Sequence, residues 1–331
     1  MVRDNGPWAF GMADVEAAAR RIASFLEPTA LHSYPLLDAR LDAHVLVKHE
    51  HHQPTGAFKV RNALNVLVGL TEDQRGRGVV AASMGNYGAG LAWAGQRLGV
   101  PITICVPHGV NPDKLAAIEA FGAELVIAGR DFDESVEEQE RLVRTRGLYE
   151  AHGANHPLVA PGAGTMTLEI VQQVESMEER LDAMIIGVGG GSQAVGAMTV
   201  LRERCPDAAV YAVQADGAPT AHNAWHRGEA AVGDAPTTFC EGLKTRQTYE
   251  LTFPMLCAGL EDFVLVVDAE LAAAMRLAWE TTHNMLEPAG AAGIAALPKL
   301  GDRLRGKTVA VVFSGANVDM ETLRRVMDGA L

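Results

Sequence analysis

The 331-residue chain has no cluster of basic residues. Its 28 lysines and arginines are outnumbered by 41 aspartates and glutamates, for a formal charge of −13. A surface of that sign repels phosphate backbones, so neither nucleic acid nor an anionic membrane is an expected partner. The four cysteines, Cys105, Cys205, Cys240 and Cys257, form no CxxC pair and no zinc-like spacing. Scattered reduced thiols are expected, as in a cytosolic protein. No run approaches the ~18 apolar residues that a membrane helix requires. Residues 1–11 lack the basic-then-apolar order of a secretion signal. No period of about 20–50 residues repeats, which excludes solenoids and propellers, and no long linker divides the chain. Together these absences predict a soluble, cytoplasmic protein.

What is present is apolar material in a particular order. Hydrophobic residues make up 48% of the chain, enough for a large core. Short β-branched runs at 45–47, 78–82, 102–106, 124–127, 184–187, 210–214, 263–267 and 309–313 read as buried strands. Between them, 15–25, 57–68, 87–98, 112–121, 134–146, 165–173, 193–204, 269–284 and 291–300 read as helices. This alternation predicts an α/β fold of parallel sheet with helices on both faces. In such sheets ligands bind beyond the carboxyl ends of strands. The densest loop material is 151–164 and 216–248, and the first of these suggests a lobe boundary near residue 150. No regulatory domain is expected after the last strand.

Four segments carry candidate chemistry. Lys59 follows a Pro54-Thr55-Gly56 turn at a helix start, beside Phe58. A lone lysine is ordinarily a solvated surface group, but in an apolar setting it can act as amine nucleophile or base. Ser83-Met84-Gly85-Asn86-Tyr87-Gly88 follows a strand, where backbone N–H groups can converge on an anion such as a carboxylate. An ordinary helix cap would look the same. Gly187-Val188-Gly189-Gly190-Gly191-Ser192 joins strand to helix, and its glycines let backbone approach a phosphate. A dinucleotide site also uses glycines here, with Asp216 as ribose partner. Finally, Ser314 follows the last strand and could hydrogen-bond a ring nitrogen, though a plain turn would also place it there.

Taken together, these segments resemble the fold-type-II pyridoxal-phosphate enzymes, specifically the threonine/serine dehydratase branch that includes serine racemase. The resemblance runs from about Pro28 to Asn317. It rests on Glu50, Gln53 and Phe58-Lys59-Val60-Arg61, on Ser83 with Gly85-Asn86, and on the glycine loop. Glu287-Pro288-Ala289-Gly290-Ala291 and Ser314-Gly315-Ala316-Asn317 complete it. It implies two α/β lobes. Residues 1–76 and 151–331 would form the larger, cofactor-anchoring lobe, and 77–150 a smaller mobile lobe carrying the Asn86 loop. It implies pyridoxal 5'-phosphate on Lys59 as a Schiff base, with Phe58, Asn86 and Glu287 at the cofactor. Gly189, Gly190, Gly191 and Ser192 would wrap the phosphate, and Ser314 would meet the pyridine nitrogen. The substrate, a small amino acid, would lie against Ser83, Met84, Gly85, Asn86 and Tyr87. A homodimer or higher homo-oligomer is implied as well. The chain departs from the family pattern at Ala57, where serine is usual, at Tyr87, where histidine is common, and at Ser192, where a further glycine is commoner.

The implied reaction is β-elimination on a β-hydroxy amino acid such as threonine, serine or a 3-hydroxyaspartate, giving a 2-keto acid and ammonia. Racemisation and β-replacement are the alternatives within the family. A nicotinamide-dependent oxidoreductase is a remote one that leaves Lys59 and Ser314 unexplained. Racemases of the family carry a serine proton donor immediately before the Gly-Asn pair, where this chain has Met84, so elimination is expected to dominate. No metal is expected. His49-Glu50-His51-His52 looks like a ligand cluster, but a strand period puts His52 on the face opposite His49 and His51. The family's divalent-cation position falls on Gln214 and Thr220, leaving Asp216 as a lone carboxylate.

Overall fold

The computed structural model describes residues 6–110 and 112–331. Ten strands occur among these: β1 Leu31–Ser33, β2 His44–Lys48, β3 Val79–Ala82, β4 Ile102–Val106, β5 Glu124–Ile127, β6 Tyr149–Glu150, β7 Ala183–Gly187, β8 Ala209–Ala215, β9 Asp262–Val266 and β10 Thr308–Val312. They form a six-stranded sheet, β1-β2-β10-β7-β8-β9, and a four-stranded sheet, β5-β4-β3-β6. All pairings are parallel except β1 with β2. All eight expected strands are present. The two additional ones, β1 and β6, are too short and too polar for their composition to announce them.

The larger sheet is buried on both faces, as the period of two requires. Leu46, Met184, Ile186, Ala310 and Val312 enter one core with the helices Val159–Ser176 and Ser192–Arg204. Val45, Val47, Ile185, Val309 and Val311 enter the other with the helices Asp268–Thr282 and Pro288–Leu300. A third core surrounds the smaller sheet, where Val79, Ala81 and Ile104 pack with Leu91 and Trp93 of the helix Asn86–Leu98. The helix Lys59–Gly69 contributes Val60, Ala63, Leu64 and Leu67 to this third core. The helix that begins at Lys59 therefore packs against the smaller sheet's core, while the strand leading to it belongs to the larger sheet.

Three expectations need correction. Residues 159–164 are not loop: the helix Val159–Ser176 starts six residues before the expected 165. Pro161 lies in its first turn, where a missing N–H costs nothing. A Cβ on Gly162 would come within 2.8 Å of the Arg61 carbonyl oxygen, so glycine there permits close helix packing rather than a turn. The helix expected over 57–68 starts at Lys59. The strand β2 ends at Lys48, and Glu50–His52 forms a single 3-10 turn, so a strand period does not govern the histidines. Four cysteines are free, and no described helix is long and apolar enough to cross a membrane.

Candidate active site

Placement of β10 in the middle of the larger sheet builds the site. It lies between β2 and β7, with Val312 level with Lys48 and Val311 level with Ile185. The segments leaving the carboxyl ends of these three neighbours are the Lys59 segment, Ser314 and the glycine loop. The Asn86 loop arrives from the carboxyl end of β3 in the other sheet. One cavity is lined by Phe58, Lys59, Asn86, Gly189 to Ser192, Glu287 and Ser314. Five stretches spanning more than 250 residues thus meet in one place.

The glycine loop is a cradle. A Cβ on Gly189 would lie 2.5 Å from the Gly242 carbonyl oxygen, and Gly191 has φ +82°, a conformation L-residues rarely adopt. The loop delivers the chain into the 13-residue helix Ser192–Arg204, whose N-terminus favours an anion. Lys59 Nζ reaches Ser192 Oγ at 3.5 Å, and Asn62 Nδ2 donates to the same oxygen at 3.2 Å. Burial pushes the Lys59 amine down to about 8, against the opposing pull of Glu287. Burial likewise pushes the Glu287 carboxyl up to about 7, although its bond from Asn86 acts the other way. Asn86 is held from two sides. It donates to Glu287 Oε1 at 2.8 Å, and its Oδ1 accepts from Asn317 Nδ2 at 2.8 Å. The groups fit a phosphorylated aromatic aldehyde: a nucleophilic amine, a glycine cradle on a helix N-terminus, and a neutral hydroxyl, Ser314.

A larger cavity of about 410 Å³, lined also by Gly85, shares Asn86 with the first. Its wall carries Lys114, which pairs with Glu241, together with Asn317 and Asp319. Ser83, Met84 and Tyr87 line neither cavity. The Ser83 hydroxyl accepts from Gly88 N at 2.9 Å and so shapes the loop. The Tyr87 ring lies in the core around the smaller sheet, and burial raises its hydroxyl above the ordinary value. Sequence reasoning missed Gly242 and Leu243, which line the first cavity, and Thr252, whose hydroxyl donates to the Gly190 carbonyl at 2.9 Å. These residues lie in loops without a distinctive motif, and only the fold brings them together.

Below the site, Arg61 is wholly buried and uses all five of its N–H groups. It binds Glu50 at 2.7 and 2.9 Å, Glu169 at 2.6 and 2.8 Å, and Thr165 at 3.2 Å. Lys48 joins the network through Glu169 at 2.7 Å. This explains Glu50 and Arg61 in the sequence pattern: they anchor the first turn of the Lys59 helix. Asp216 lines neither cavity, so the nicotinamide alternative lacks its ribose partner. The Gln214 amide is spent on Thr245 Oγ1 and on the His222 N–H.

The family described as pyridoxal-phosphate dependent enzyme matches residues 22–315. An L-threo-3-hydroxyaspartate ammonia-lyase of Pseudomonas sp is 34% identical over 322 residues, covering 96% of this chain and 98% of that protein. The solved structure of a T.th. threonine deaminase superposes with a TM-score of 0.89 at 34% identity, covering 94% of this chain and 99% of its own. Maize serine racemase superposes at 0.90 with 26% identity, covering 98% of each chain. With a family match over most of its length and a cavity built for that cofactor, this chain belongs to the pyridoxal-phosphate dependent enzyme family.

Proposed function

We propose that the protein is a pyridoxal-phosphate-dependent ammonia-lyase that removes water and then ammonia from a small β-hydroxy amino acid. The observation that carries this reading is the Lys59 amine, lowered to about 8 at the meeting point of the glycine loop, Asn86 and Ser314. Lys59 would hold the cofactor through that amine, Gly189 to Ser192 its phosphate, Asn86 its phenolic oxygen and Ser314 its ring nitrogen. When bound, pyridoxal phosphate supplies an electron sink for the bond that breaks at the substrate's α-carbon. Lys59 Nζ stands to take the α-proton as general base. Backbone amides at Gly85 and Asn86, which line the larger cavity, suit a carboxylate. Ser314 is neutral, so it does not stabilise a protonated ring nitrogen as a carboxylate would. That favours immediate departure of the β-hydroxyl over a long-lived carbanion.

Lys114 on the wall of the larger cavity favours a second carboxylate in the substrate, as in 3-hydroxyaspartate, with Glu241 as the group displaced. A panel of serine, threonine and 3-hydroxyaspartate, assayed for keto-acid and ammonia release, tests both levels. Release from none of them sinks the lyase reading. Release from serine or threonine at higher kcat/KM than from 3-hydroxyaspartate sinks the dicarboxylate reading alone. We further propose that the four-stranded unit within 77–150 is the part that closes over substrate, since it bears Asn86 and Lys114.

A further inference from the structure

We propose that His49, His51 and His52 bind one first-row transition cation of the zinc class, at a site separate from the cofactor cavity. One ring nitrogen from each lies within 4.8 Å of the others, because the 3-10 turn Glu50–His52 folds the three rings together. The ring centroids of His49 and His51 are 5.2 Å apart, those of His49 and His52 5.1 Å, and those of His51 and His52 4.0 Å. Tetrahedral coordination with metal–nitrogen bonds of about 2.0–2.1 Å asks for nitrogens roughly 3.4 Å apart. The exposed His52 ring can close that difference by rotating.

The far nitrogens of the two inner rings are already held. Tyr34 Oη lies 2.9 Å from His49 Nε2, and Asn284 Oδ1 lies 2.9 Å from His51 Nε2. The amide oxygen can only accept, so His51 carries its proton on Nε2 and presents a bare lone pair at Nδ1. Tyr34 allows the same tautomer in His49 when its oxygen accepts. His49 and His51 are 1% and 9% exposed, and Nδ1 of each has no hydrogen-bond partner. Buried ring nitrogens left unpaired are rare. An imidazole steadied through one nitrogen and open at the other is the arrangement that orients metal ligands. Glu50, between them, is committed to Arg61 and Thr29 and is no ligand. An all-imidazole set suits Zn²⁺, Cu²⁺, Ni²⁺ or Co²⁺ rather than Mg²⁺ or Ca²⁺, with water in the fourth position. The His51 N–H donates to the Phe313 carbonyl at 2.8 Å, one residue before Ser314, so a bound ion would stiffen the turn that this bond fastens to the end of β10.

The test is calorimetric titration of untagged holoenzyme with Zn²⁺, after dialysis to remove free cofactor, which itself chelates. A parallel titration with Co²⁺ reads tetrahedral coordination from its visible absorption. One equivalent is expected. His52→Asn, at an exposed position, and Asn284→Leu should each weaken binding at least about tenfold, with the bound-cofactor spectrum unchanged. His222 and His226, whose Nε2 atoms are 3.1 Å apart, form the rival pair, so His226→Asn should leave binding intact. No binding by the wild type, or binding lost in His226→Asn and kept in His52→Asn, overturns the proposal.

Discussion

The depressed Lys59 amine makes a quantitative prediction about cofactor capture by apoenzyme. An amine titrating at about 8 is neutral in roughly one molecule in ten at pH 7, against about 0.03% for an ordinary lysine, an advantage on the order of 300-fold in nucleophile. The capture rate, followed by the rise of imine absorbance on mixing apoenzyme with pyridoxal phosphate, should therefore climb through a midpoint near 8 and level off above it. Dividing by the rate for free N-acetyl-lysine per neutral amine at each pH removes the reagent's own titrations and leaves the Lys59 profile. The cause can be tested separately. Burial lowers the Lys59 amine while the Glu287 carboxylate raises it, so Glu287→Gln should move the midpoint further down. Gln keeps the oxygen that accepts from Asn86, and the loop should hold its place. A wild-type midpoint near that of free lysine would refute desolvation as the activating force. An upward shift in Glu287→Gln would refute the assigned role of Glu287.

Three further outcomes are expected. Gly189→Ala, whose new Cβ would meet the Gly242 carbonyl oxygen at 2.5 Å, should weaken cofactor affinity about ten- to a hundredfold in equilibrium dialysis; unchanged affinity would mean the loop is not the phosphate cradle. Arg61→Met should cost about 3–5 kcal/mol in urea unfolding at pH 8, because Glu50 loses its buried partner. Burial pushes the Glu50 carboxyl up, and Arg61 with Thr29 and Lys48 outweighs it, so without Arg61 its folded pKa should rise above the unfolded one. The penalty should then be full at pH 8 and shrink as pH falls toward that raised value; an equal loss at pH 5.5 contradicts this. L-Serine incubated with the wild type should give pyruvate without D-serine on chiral chromatography, since the Met84 thioether has no proton to return.

The parallel framework was legible because buried strands advertise themselves as short β-branched runs, as at Ile102–Val106 and Val309–Val312. The site was legible where one residue type has no substitute: a lysine after a Pro-Thr-Gly turn, glycines between strand and helix. What stayed hidden depends on partners distant in the chain. The start of the helix Val159–Ser176 looked like loop because its glycines serve contact with Arg61 and Val15, which composition does not reveal. In the sequence, a strand period extends to the histidines, beyond the expected strand at 45–47, because nothing local marks the end of β2 at Lys48. That strand stops where Lys48 turns to Thr29, Glu169 and Gln173, all far away in sequence. Tyr87 and Ser83 share a loop with Asn86, yet the first helical turn sends Tyr87 into the core and bends Ser83 back on the backbone.

The central position of β10 also bears on how the protein is made. Until residues 308–312 emerge from the ribosome, β2 and β7 lack their shared neighbour, and each presents an unpaired edge. Lys59 and the glycine loop, synthesised long before, cannot be set at their working separation without it. Capture of the cofactor is therefore a checkpoint on the synthesis of β10. A nascent or prematurely stopped polypeptide would carry most of the ligating residues and still bind nothing, while exposing the strand edges that chaperones and proteases recognise.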